Sequence, residues 1–216
     1  SQGSVSEAMT ELSFVVSKNA YLPAYFWMQG RMRDRPAIVA LALAAEQAGD
    51  FKESESTFRR YLTRNPNDVA VRLELASMFN NQLDIASKEQ AMDELTHVIS
   101  SKEQDEDSAA LRDKARLIRA LTLVSLKEHE KAISELDKLM QEGADKPELP
   151  YGKTEKMTPT TAKAVALLSA KQASEAETLL RNYLLSPSKK DDLLAMRLLA
   201  QALNDQPEKK GEAFTI

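Results

Sequence analysis

One residue spacing recurs five times along the chain and constrains the fold more than any other feature. A small residue is followed by apolar residues four, seven and eight positions later, and such residues lie on one face of an α-helix. A small residue lets a paired helix approach closely, while the larger three fill the space beside it, so the spacing predicts stacked helix pairs. The five copies are Ala8, Leu12, Val15 and Val16; Ser54, Phe58, Tyr61 and Leu62; Ala91, Leu95, Val98 and Ile99; Ala132, Leu136, Leu139 and Met140; and Ala176, Leu180, Tyr183 and Leu184.

A second amphipathic segment precedes each copy from the second onward. The segments lie within residues 36–48, 69–81, 108–126 and 160–170, and a short polar turn separates each from the copy that follows. Each therefore predicts the first helix of a pair. No such segment precedes the copy in residues 5–18, which predicts either an excerpt from a longer array or a bare N-terminal capping helix.

Residues 36–68 carry the most specific pattern. Gly49 lies at the turn, Ser54 is the small residue of the second helix, Phe58 follows four residues later and Pro66 ends the unit. This stretch resembles the tetratricopeptide repeat, a helix pair of about 34 residues. The resemblance implies an all-α fold: a right-handed superhelical array of antiparallel helix pairs, a tetratricopeptide-like α-solenoid. Residues 191–204 form an amphipathic segment without a partner behind it, which predicts a C-terminal capping helix or the start of another repeat.

The other copies depart from that family in three ways. Lys127 and Lys171 stand at the turn where the family has glycine, Arg119 replaces a leucine of the first helix, and the repeats are longer than the usual unit. We predict repeats over residues 5–142, a linker or hinge loop at 143–159, a final repeat with the capping helix at 160–204 and a disordered tail at 205–216. Residues 1–4 are a candidate cloning remnant and are left out of the fold prediction.

Composition excludes several classes of protein. The net charge is −4 and basic residues are interspersed with acidic ones, so no nucleic-acid partner is expected. No apolar run is long enough to cross a bilayer, and no signal peptide opens the chain, so we predict no membrane insertion. The location stays open between the cytoplasm and, if a signal peptide has been removed, the periplasm. There is no cysteine, and His97 and His129 lie far apart in the sequence. We therefore expect no metal, no cofactor and no catalytic site.

The resemblance implies a candidate binding groove. In tetratricopeptide proteins the first helices line an inner surface, and residues one turn apart contact the ligand. Most of the matching residues are apolar, which argues against a clamp for acidic chaperone tails and favours an amphipathic helix or an extended apolar segment. Packing against neighbouring helices is an equally good explanation for them. The matching residues are Val39, Leu43 and Glu46; Leu73, Ser77 and Asn80; Leu117, Leu121 and Val124; and Thr161, Val165 and Leu168.

A second candidate surface lies near the N-terminus, where Tyr25, Phe26, Trp27 and Met28 are consecutive. A single helical stripe cannot bury four consecutive side chains. The segment either fills a seam between helices or offers Tyr25 and Trp27 as recognition residues.

These observations favour a non-catalytic scaffold that binds a protein or peptide in its groove. The resemblance points to a larger assembly of the bacterial secretion, envelope or polysaccharide-export type. A homo-oligomerisation module is the alternative, and an RNA-binding helical repeat is a third that lacks the basic face it would need.

Overall fold

The computed structural model describes residues 35–102, 106–143, 147–151 and 155–215. This part of the chain contains nine α-helices and one short hairpin. The helices are α1 Arg35–Gln47, α2 Phe51–Arg64, α3 Val69–Asn81, α4 Ile85–Ile99, α5 Glu106–Ser125, α6 His129–Gln141, α7 Pro159–Ser169, α8 Ala173–Leu184 and α9 Leu193–Asn204; strands β1 Leu149–Tyr151 and β2 Glu155–Met157 lie between α6 and α7.

The helices form four pairs in a row. Short turns join α1 to α2, α3 to α4, α5 to α6 and α7 to α8, so the partners in each pair run antiparallel. Each first helix also contacts the first helix of the next pair, from α1 through α3, α5 and α7 to α9. The predicted all-α array of helix pairs is confirmed, and α9 packs on α7 and α8 at its end. The copy of the spacing at residues 5–18 lies outside the described residues.

The small residues of the repeated spacing occupy equivalent buried places. In the second helices α2, α4, α6 and α8, Ser54, Ala91, Ala132 and Ala176 are all 0% exposed. The first helices α1, α3, α5 and α7 each contribute one alanine that is equally buried: Ala42, Ala76, Ala120 and Ala164. The absence of a larger side chain at these positions allows the close helix contacts on which the array depends.

Three of the four turns within the pairs share one conformation, although only one of them contains glycine. Gly49 has a φ of 77°, Lys127 of 63° and Lys171 of 62°. In each turn the next residue donates its N–H to a carbonyl five positions earlier, as from Asp50 to Ala45 at 2.9 Å. This left-handed ending satisfies carbonyls of the first helix, and the same hydrogen bond forms whether glycine or lysine occupies the turn.

The buried side chains form two main cores that meet at α5. The N-terminal core contains Phe58, Tyr61 and Phe79, whereas the C-terminal core is built largely from leucine and alanine. Helix α5 contributes to both, with Ala115 and Ile118 in the first and a second set in the other: Leu117, Ala120 and Leu123.

Residues 143–159 contain structure that the sequence did not predict. Leu149 pairs with Met157 and Tyr151 with Glu155 in an antiparallel hairpin. Met157 is buried, and Leu149 packs against both main cores. Strands of three residues are too short to show the alternation by which a strand is recognised in a sequence. The hinge role expected of this segment stays a prediction.

The segment for which the sequence predicts a disordered tail makes specific contacts in its described part, residues 205–215. Pro207–Lys209 and Glu212–Thr215 form 3₁₀ turns that pack on α9. Buried Gln206 donates to Glu177 of α8 at 2.8 Å, and Lys209 donates to the same carboxylate at 2.7 Å. The hydrogen bonds from Lys209, Gln206 and Arg181 lower the pKa of Glu177 to about 2, although burial opposes them. Specific long-range contacts therefore order a segment whose composition is polar.

Candidate partner-binding face

The first helices present one continuous face. Because α1, α3, α5, α7 and α9 contact one another in succession, the sides that they turn away from the second helices lie next to each other. The residues that the sequence selected on α1, α3 and α5 recur three or four positions apart, which places them along one side of each helix. We call the side of α1, α3 and α5 that carries these residues the first-helix face.

Exposure divides the selected residues into two groups. Leu43 is the most open of them at 36% exposed, and six others are half-buried: Val39, Glu46, Ser77, Asn80, Leu121 and Val124. Leu73 and Leu117 are 6% and 0% exposed, so both pack inside the cores instead of lining a groove. Leu73 belongs to the N-terminal core and Leu117 to the C-terminal core. On α7, Thr161 is likewise buried, while Val165 and Leu168 are half-buried and pack against the C-terminal core.

Asn80, which was expected to contact a partner, is held by internal hydrogen bonds. The hydroxyl of buried Thr122 donates to its Oδ1 at 2.7 Å, which joins α3 to α5. Lys88 of α4 donates to the same Oδ1 at 3.2 Å and also to the backbone carbonyl of Asn80. Burial lowers the pKa of Lys88, while the nearby Asp84 opposes that change. The side-chain oxygen of Asn80 is therefore occupied, and its amide N–H groups are what remains for a ligand.

Two charged residues on the first helices were missed by the sequence analysis. Glu74 is half-buried on α3, and burial raises its pKa, as does the negative charge of Glu46 on α1. Lys114 of α5 is close enough to lower it in part. Asn81 donates to Glu46 at 3.1 Å. The first helices thus carry more charge near this face than the mostly apolar list predicted. The sequence did contain a signal for them: Glu74 directly follows Leu73, which was selected for the groove, and Lys114 directly follows Asp113.

The described residues contain no arrangement typical of metal chemistry or membrane insertion. Within these ranges, no three His, Cys, Asp or Glu side chains gather closely enough to hold a metal ion. Of the helices that the structure describes, none combines the length and apolar character that a membrane-spanning helix needs.

The N-terminal candidates cannot be placed by the structure. Tyr25 and Trp27 lie outside the described residues, so their role in recognition stays a prediction.

The architecture defines a class: an all-helical repeat array in which antiparallel pairs stack side by side. Residues 35–78 match the family model of the tetratricopeptide repeat, which confirms the resemblance predicted from Gly49, Ser54 and Phe58. The match covers the first pair and most of α3, and the remaining pairs repeat the same helical arrangement. Comparisons with curated proteins and with solved structures give no match. Tetratricopeptide repeats are in general protein–protein interaction modules without catalytic activity.

Proposed function

We propose that this protein is a non-catalytic scaffold that binds a partner polypeptide along the first-helix face, as a component of a larger assembly. The observation that carries the proposal is the continuity of this face across α1, α3 and α5, with Leu43 open and apolar neighbours half-buried beside it. A polypeptide laid across three successive helices can contact all of them at once.

The composition of the face indicates the chemistry of the partner. Val39 and Leu43 lie one turn apart on α1, and Leu121 and Val124 lie on α5, with Ser77 and Asn80 on α3 between them. Apolar side chains of a partner would be stabilised at the outer helices by roughly 25 cal/mol per Å² of area removed from water. The amide N–H groups of Asn80 are suited to a backbone carbonyl of the same segment. The proposed partner is therefore a segment with apolar residues at two places and a polar stretch between them.

Photo-crosslinking tests the proposal directly. A photoreactive amino acid placed at Leu43 should crosslink to a partner in cells, whereas the same amino acid at Ser56, exposed on second helix α2, should not. Adding Ser77→Arg should abolish the crosslink from position 43, and Ser56→Arg should leave it unchanged. Equal crosslinking from positions 43 and 56, or a crosslink that survives Ser77→Arg, would reject the first-helix face as the binding surface.

Self-association is the competing function, and the C-terminal end of the array is one surface through which two copies would pair. The contacts of Gln206 and Lys209 with Glu177 cover this end, so pairing through it would require the tail to leave. Light scattering over a concentration series separates the two functions. A constant monomer mass is expected, and a mass that doubles with concentration would favour the homo-oligomerisation module.

A further inference from the structure

A polar cleft lies on another part of the array, between the end of α4 and helices α5 and α6. Its volume is about 490 Å³, and Arg116 and Arg119 of α5 and Lys138 of α6 are among the residues that line it. Clefts of this size commonly hold a small ligand or one group of a larger one. The ion pairs in this cleft differ from those at the equivalent positions of the preceding helix pair, α3 and α4.

Equivalent residues in the preceding pair show what has changed. Arg72 lies four residues before the buried Ala76, and it binds Glu94, three residues after Ala91, at 2.7 Å. The corresponding residues in the next pair are Arg116 and Glu135. Glu135, however, is held by Arg119, whose Nε and Nη2 approach it at 2.7 to 3.1 Å.

Arg116 therefore pairs with a more exposed carboxylate than Arg72 does. It pairs through Nη1 with Glu142, whose side chain is 56% exposed, and lies 3.8 Å from Asp113. The Glu94 side chain in the preceding pair is only 11% exposed. An ion pair with an exposed carboxylate contributes little, because water and salt screen it. Glu142 can therefore be replaced by another anion at low cost.

Further donors in the cleft lack protein partners. Within the described part of the chain, Nε and Nη2 of Arg116 and the ammonium group of Lys138 have no hydrogen-bonded or ion-paired partner. Ser134 lines the cleft beside them and supplies a hydroxyl. Four cations and three carboxylates line the cleft. Glu135 and Glu142 pair with Arg119 and Arg116, and Lys131 pairs with Glu128, so Glu130 is the opposing charge that remains beside Lys138.

We propose that this cleft binds a phosphate group, with the free edge of the Arg116 guanidinium making two hydrogen bonds to it and Lys138 a third. The planar fork of arginine fits two oxygens of a phosphate, and such charge-assisted hydrogen bonds are stronger than neutral ones. A phosphate ester carries about 1.5 to 2 negative charges at neutral pH, which suits two cations better than the single charge of a carboxylate does. The phosphate is either free in solution or carried by a phosphorylated molecule, since the cleft is open to solvent.

The test is nuclear magnetic resonance of the full chain, observed at the arginine Nε–Hε signals. Inorganic phosphate and O-phosphoserine are titrated separately at constant ionic strength, with acetate as the monovalent comparison. The Arg116 signal should move and saturate with phosphate. Tighter binding of O-phosphoserine than of inorganic phosphate would assign the site to phosphorylated molecules, and the reverse would assign it to the free ion. Acetate should bind more weakly than either.

Two variants with opposite expected effects complete the test. Arg116→Gln with Lys138→Gln should weaken phosphate binding by about tenfold, whereas Lys52→Gln with Arg64→Gln, which changes the net charge equally at exposed positions of α2, should not. Glu142→Gln should tighten binding, because it frees Arg116 and removes a negative charge. The proposal is overturned if the Arg116 signal never saturates, if acetate binds as well as phosphate, or if Glu142→Gln weakens binding. Since the cleft lies apart from the first-helix face, either result is independent of the crosslinking from position 43.

Discussion

The N-terminal and C-terminal cores solve the same packing problem with different side chains. The first uses Phe58, Tyr61 and Phe79 to fill the space between helix pairs, and the second uses leucines such as Leu136 and Leu180. Both keep fully buried small residues at the helix contacts. The large residues can therefore change as long as the close contacts do not, which explains how pairs outside residues 35–78 keep the arrangement without matching the family model.

Three of the turns within the pairs likewise keep one backbone conformation with different residues. Gly49 makes the N-terminal turn without steric cost, whereas Lys127 and Lys171 adopt the same conformation against the preference of residues that have a Cβ. The C-terminal pairs thus tolerate local strain that the first pair avoids.

The largest expected effect tests whether the two cores unfold together. Phe58→Ala should lower the free energy of unfolding by about 3–5 kcal/mol, because it leaves a cavity in the N-terminal core. Hydrogen exchange should then accelerate more in α1–α4 than in α7–α9, since each pair is stabilised mainly by its neighbours. The control is Leu185→Ala at a side chain that is 79% exposed. An equal acceleration in all the helices would show that the cores form one cooperative unit.

A second prediction asks whether the small residues matter equally in both cores. Ala91→Leu in α4 and Ala132→Leu in α6 should each cost about 1–3 kcal/mol in urea denaturation, because the added side chain forces paired helices apart. Ala109→Leu, at an exposed position of α5, is the control and should change little. If leucine at either buried alanine leaves the stability unchanged, a small residue is not required at the helix contact in that core.

The C-terminal end should respond to acid through Glu177. The pKa of Glu177 falls from 4.5 to about 2 on folding, so its contribution to stability is complete above about pH 4.5 and is lost as the pH falls toward 2. Glu177→Gln should therefore lower the melting temperature at pH 7 and make the loss between pH 5 and 2 less steep. The matched variant is Glu175→Gln, which lies exposed in the first turn of the same helix. Parallel pH profiles for the wild type and Glu177→Gln would contradict the assignment.

The smallest effect concerns the turns. Lys127→Gly and Lys171→Gly should each stabilise the protein by about 0.5–1 kcal/mol, because relief of the left-handed strain outweighs the greater freedom of glycine in the unfolded chain. Gly49→Ala should have the opposite sign. A Cβ at Gly49 would meet no atom within 4 Å, so its cost would come from the backbone conformation alone. Thermal denaturation measures all three, and a destabilising Lys127→Gly would mean that the lysine side chain itself supports the turn.

Periodicity predicted the helices and the array because both depend on residues that are close in sequence. The same spacing identified Ala91, Ala132 and Ala176 as helix-contact residues, and all three are fully buried. It did not distinguish Leu43 from Leu73. Both were selected for the groove, but Leu43 is open and Leu73 is buried. That difference depends on the tertiary packing around each helix, which the periodicity of a single helix does not encode.

The segments between helices were harder to predict for a related reason. The hairpin at residues 149–157 is held partly by Met157 and Leu149, which pack on helices distant in the sequence. The tail is held by Glu177, about 30 residues before it. Polar composition indicated loops in both places, and only the tertiary contacts order them.

Helix α5 contributes buried residues to both main cores, with different sides of it packed in each. A rotation about its axis would repack the two halves of the molecule simultaneously, and neither half can adjust to such a motion alone. The same helix carries Arg116 and Arg119. A substitution that displaces this helix should therefore disturb the packing of both cores at once.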